Sequence, residues 1–110
     1  MELNQETIEL VGKIVAFNHC WKLAQSRFGS DSAISRMLRD QKSVLQCALL
    51  RQKFAYLQLD EGAIEEALYS VRLFSSVNVN GVKRNDAEHM PVRIASELLT
   101  EEELQQFEGK

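Results

Sequence analysis

The stretch from Ser43 to Leu59 constrains this chain most, because eleven of its seventeen residues are apolar. Placed on a helix at about 100° per residue, those residues occupy almost the whole circumference. Only Lys42, Gln46 and Lys53 align as a polar strip. A helix that is apolar nearly all round belongs inside a bundle, so this segment reads as a buried central helix.

Neighbouring segments supply candidates to pack on it. From Asn4 to Phe28, Leu10, Ile14, Phe17, Trp21, Ala24 and Phe28 recur every three or four positions, the stripe of an amphipathic helix. Asn18 could cap a second segment if that helix is broken there. Gly29 suits the residue that follows a helix C-terminus, and Ser30 or Asp31 can start a short helix over about 31–40. After Asp60, Glu61 and Gly62, a stripe of Ile64, Ala67, Leu68, Val71 and Phe74 predicts a helix over about 61–74, folded back on the central one as a hairpin. Val77 and Val79 then alternate with polar residues, and Asn80–Gly81 is the preferred pair of a type I′ turn. That predicts a β-ribbon over about 76–84, with His89 to Ala95 as a third, edge strand. Thr100 with Glu103 forms a capping box for a last helix over about 100–107.

The expected fold class is therefore mainly α. It is a single domain of four or five helices around a central hairpin, with a short β-ribbon near the C-terminus. At 110 residues, such a chain can bury a core without disulfide or metal staples. The two cysteines, Cys20 and Cys47, lie in apolar helical contexts and read as reduced core thiols. No apolar run approaches the roughly 20 residues of a membrane span. The acidic start, Met1 to Glu6, lacks the pattern of a signal peptide, so a cytoplasmic location is expected.

Net charge is −3, but its distribution is uneven. Lys13 to Lys53 carries eight basic residues against two acids, while the flanks carry fourteen acids and five bases. Such a division points toward nucleic acid or another acidic partner.

Within the basic half, Leu23-Ala24-Gln25, Gly29 and Ser32-Ala33-Ile34-Ser35-Arg36-Met37-Leu38 resemble the helix-turn-helix of phage-repressor-type DNA-binding proteins. Ala24 and Ile34 stand ten positions apart, as the packed pair of that family does. Gly29 falls one position later than the family's turn glycine, and Ser30 occupies a position usually aliphatic there. The resemblance implies a second helix lying in the major groove of double-stranded DNA. Asp31, Ser32, Ser35 and Arg36 would face the bases, and Arg39 and Lys42 the phosphates. Arg36 would read guanine through its planar fork. It also implies a dimer, for which the long first helix offers a seam.

A second likeness joins Ala55-Tyr56-Leu57, Gly62 and Glu65-Glu66-Ala67-Leu68, which are similar to the inside of one tetratricopeptide hairpin. That family binds proteins, so an α-helical adaptor or chaperone-like protein is the alternative expectation. Catalytic and metal signals are poor. His19, Cys20, Cys47 and His89 have no zinc-ligand spacing, and neither a phosphate loop nor a nucleophile elbow is present. The sequence therefore predicts a non-enzymatic regulator with no cofactor and no metal. Its binding residues would be Ser32, Ser35, Arg36, Arg39 and Lys42, and its partner DNA or another protein.

Overall fold

Two long antiparallel helices lie across a three-stranded sheet, and two short helices close one end. The computed structural model describes residues 5–109, so the acidic start over 1–4 lies outside the described residues. The elements are α1 (Gln5–Phe28), α2 (Ala33–Arg51), β1 (Ala55–Asp60), β2 (Leu68–Val79), β3 (Val82–Pro91), α3 (Val92–Leu98) and α4 (Glu101–Phe107). The strands form an antiparallel meander in the order β1-β2-β3. With 54% helix and 28% strand this is an α+β fold, which overturns the mainly α bundle.

α1 is one uninterrupted helix, and Asn18 is buried in mid-helix rather than capping a break. It ends where Gly29 takes a φ of +89°, a left-handed conformation that costs glycine little. Ser32 then caps α2, its Oγ accepting from the Ser35 amide at 3.2 Å. The segments expected as separate helices over 31–40 and 43–59 are one helix through Arg51. Nothing between Asp40 and Ser43 breaks a helix.

The chain leaves α2 at Lys53, which adopts a φ of +66° and turns the backbone into β1. From there the expected hairpin helices are absent: Ala55–Asp60 and Leu68–Leu73 are paired strands. The reason is a period read two ways. Ile64, Ala67, Leu68, Val71 and Phe74 fit a helical stripe, but Tyr69, Val71 and Leu73 also alternate with Ser70, Arg72 and Phe74. The alternation wins because Tyr69, Val71 and Leu73 can all face the core while their backbones pair with β1.

The Asn80–Gly81 turn forms as expected, with φ of +52° and +81°. The strands it joins run longer than the ribbon foreseen, to Leu68 on one side and Pro91 on the other. β3 and β2 slip register between Val77 and Ser70. Inside this irregular stretch Glu88 takes a φ of +66°, an uncommon conformation for a side-chain-bearing residue. The candidate third strand over 89–95 divides instead. His89 to Pro91 finish β3, and Pro91 opens α3, where its lack of an amide hydrogen costs no helical bond. The Thr100–Glu103 capping box is present with both reciprocal bonds.

The core lies between the helical pair and the sheet. Val11, Ile14, Leu49 and Leu50 meet Leu57, Val71, Ala87 and Met90, while Ala95, Leu99 and Phe107 seal the end. After α4 the chain runs beside β1, where the Gly109 amide donates to the Leu57 carbonyl at 2.7 Å. A Cβ at Gly109 would meet the Tyr56 ring at 2.5 Å, so that approach needs glycine.

Candidate functional site

The five residues expected to face a groove are divided by the packing of α2. Ser32 is spent as the helix cap. The Ser35 side chain is fully buried, its Oγ donating to the Gly29 carbonyl at 2.8 Å and accepting from Ser32 Oγ at 2.7 Å. Arg36 is exposed, and its side chain makes no hydrogen bond or ion pair among the described residues. Arg39 is half-buried, and Lys42 is only 3% exposed. Ser35, Arg39 and Lys42 belong to the side of α2 that turns toward α1 and the sheet. Arg36 points elsewhere, so the arginines and lysine do not share one protruding face.

Lys42 and Arg39 instead line a cavity of about 200 Å³ between the helical pair and the end of β3. α1 contributes Asn18, Trp21 and Lys22, one helical turn apart. The bulged part of β3 contributes Glu88 and His89. Lys42 Nζ donates to Asn18 Oδ1 at 3.0 Å and stands 4.9 Å from the centre of the Trp21 ring. Burial pushes its ammonium down to about 8; Glu88 pulls it back up, while Lys22 and Arg39 add to the fall. Arg39 Nε is buried and has no hydrogen-bond partner among the described residues, with an Asp40 carboxylate oxygen 3.8 Å away.

The acids here answer to bases outside the cavity. Glu88 Oε2 accepts from Arg84 at 3.0 Å, and Glu66 Oε2 pairs with Arg93 at 3.5 Å. His89 Nε2 lies 3.2 Å from Asp60 Oδ2. Next to Lys42 on α2, Gln46 ties the helix to the sheet, its Nε2 donating to the carbonyls of Ala87 at 2.8 Å and His89 at 3.1 Å. The strip of Lys42 and Gln46, which a helical wheel assigns to solvent, is thus among the most deeply buried parts of the molecule.

The outer side of the same two helices has the opposite character. Leu23, Phe28, Ile34, Met37 and Val44 are each between 43% and 61% exposed. Leu23, Phe28, Ile34 and Leu38 line one depression with Cys20 and Ala24, and Arg27 is its single charged residue. Met37 and Val44 continue from Ile34 along the outer side of α2. Phe28 is not a core residue, and Cys20 is exposed rather than a core thiol. Cys47 is buried as foreseen, and burial raises its thiol to about 11.

Sequence reasoning named Arg39 and Lys42 as anion contacts and the first helix as a seam. It missed the cavity and the share of α2 in the apolar face because it ranked side chains by polarity. The one available signal was that Asn18, Trp21 and Lys22 share a turn of α1, but their partner 24 residues away could not be chosen without the fold. Among the described residues, no three His, Cys, Asp or Glu side chains converge where a metal ion could sit. No helix among them is long and apolar enough to cross a membrane. Comparison of the chain with protein families, characterised proteins and solved structures finds no match.

Proposed function

We propose that this chain is a non-enzymatic protein-binding module whose working form is a homodimer joined through the outer face of α1 and α2. The observation that carries this reading is the cluster of half-exposed large hydrophobics at Leu23, Phe28, Ile34, Met37 and Val44, on a helical pair whose inner face is already covered. Contiguous apolar surface of that kind is uncommon on a monomer and favours an interface. A second copy is the occupant because a two-fold interface must complement itself. The depression at its centre has one charged lining residue, Arg27, so pairing two copies there buries little charge. Pairing would set two helices against two, the arrangement of a four-helix layer.

Sedimentation of the full chain across a concentration series tests this. The expected result is a reversible monomer–dimer equilibrium at micromolar protein, abolished by Ile34→Glu with the circular dichroism spectrum unchanged. A wild-type chain that stays monomeric at the highest soluble concentration overturns the homodimer. Binding to duplex DNA that falls steeply with salt and is lost in Arg36→Ala would overturn the protein-binding reading in favour of nucleic-acid recognition.

A further inference from the structure

We propose that the cavity between α1, α2 and the end of β3 is a binding site for a small organic anion. A carboxylate or phosphate group would be received by Lys42 and Arg39, with an apolar body lying against Trp21 and Pro91. Three cations, Lys22, Arg39 and Lys42, line the cavity together with two acids, Glu66 and Glu88. Both acids are engaged by arginines that do not line it, Arg93 and Arg84. The cations are less closely matched: the Asp40 carboxylate stands 3.8 Å from Arg39 Nε, and Glu88 acts on Lys42 by charge alone. Among the described residues Lys42 has one hydrogen-bond acceptor, Asn18 Oδ1, for three N–H donors. Arg39 Nε is buried with none. Leaving a buried ammonium short of acceptors and a buried guanidinium N–H with none costs free energy, and an anion in the cavity relieves both at once.

The walls decide what kind of anion fits. Trp21, Leu68 and Pro91 present apolar surface beside the charged groups, so a bare inorganic ion would leave that surface unused. A volume of about 200 Å³ is below the roughly 300–1,000 Å³ of sites for drug-sized molecules. The occupant is therefore the size of a single ring or a short chain bearing one acidic group. The site is independent of the outer apolar face, so it stands or falls separately from the homodimer.

Trp21 is the chain's only tryptophan, so its emission reports on this cavity directly. The full-length chain is titrated with benzoate, phenyl phosphate and sulfate, and with phenethylammonium as the opposite-charge control. The expected result is a saturable emission change with the three anions, tighter for the two ring-bearing ones, and none with the ammonium compound. Lys42→Met should weaken the anions at least tenfold. A measurement without substitution guards against a variant that fails to fold. Sulfate keeps its charge at neutral and alkaline pH, so its affinity should fall about tenfold between pH 7 and 9 as Lys42 loses its proton. The charged and titratable groups that line the cavity with Lys42 are Lys22 from α1, Arg39 from α2, Glu66 before β2, and Glu88 and His89 from β3. No saturable change at roughly 10 mM anion, where even a weak site fills, would overturn the proposal. So would equal binding of the ammonium compound, or a flat pH profile.

Discussion

The inner and outer faces of the α1–α2 pair reverse the usual distribution of polarity. Inside lie Thr7, Asn18, Ser35, Lys42, Ser43 and Gln46, all buried, and outside lie Leu23, Phe28, Ile34, Met37 and Val44, all substantially exposed. The inner groups are tolerated because nearly every one has a specific partner. Ser43 Oγ donates to the Arg39 carbonyl, Thr7 Oγ1 to Gln52 Oε1, and Gln46 Nε2 to two carbonyls of β3. The outer groups have no such requirement, and water around them costs less than an unpartnered polar atom in the core. A helix face is thus assigned by which partners the fold supplies, and average hydrophobicity is a weaker guide.

That contrast is most exposed to test at Gln46. Gln46→Ala would strip the Ala87 and His89 carbonyls of their donor and open a hole between helix and sheet, at a cost of roughly 2–4 kcal/mol. Urea denaturation measures it, and a loss below about 0.5 kcal/mol, the scale of an ordinary surface change, would show that the inner polar contacts do not hold the layers together.

Lys42 offers a test by pH. Its ammonium loses its proton near 8 in the native state against 10.5 in the unfolded chain. Between those values the unfolded chain holds more protons, so this group makes stability rise with pH, by up to about 3 kcal/mol. Cys47 works the other way. Its thiol persists to about 11 when folded but ionises near 9.0 when unfolded, so its contribution is lost as pH climbs above 9.0. Tyr69, raised to about 12 by burial and by its hydrogen bond to Glu108, adds to that decline above 10.0. Stability should climb from about pH 8 to 9 and then level or fall. Lys42→Met should remove the climb and keep the decline. A climb that survives the substitution would mean that another group carries it.

The smallest effect is expected on the outer face. Ile34→Ser or Met37→Ser should change the stability of the isolated monomer by no more than about 0.5 kcal/mol, measured at a dilution where any dimer has dissociated. A loss of 2 kcal/mol or more, the size of a core truncation, would place those side chains in the core and remove the contrast altogether.

What the sequence determined by itself is local. The reach of α1, the stop at Gly29, the turn at Asn80–Gly81 and the start of α4 at Thr100 each rest on contacts within a few residues. A cap, a glycine or a turn pair acts there whatever the rest of the chain does. The tertiary structure decided the remainder. Ala55–Asp60 and Leu68–Leu73 could satisfy a helical or an alternating period, and pairing between them, with Gly109 closing the outer edge of β1, selected strands. Lys42 joined the interior because Asn18 and Trp21, more than twenty positions earlier, were brought beneath it. Burial is a property of what covers a residue, and distant segments supply that cover only once the chain has folded.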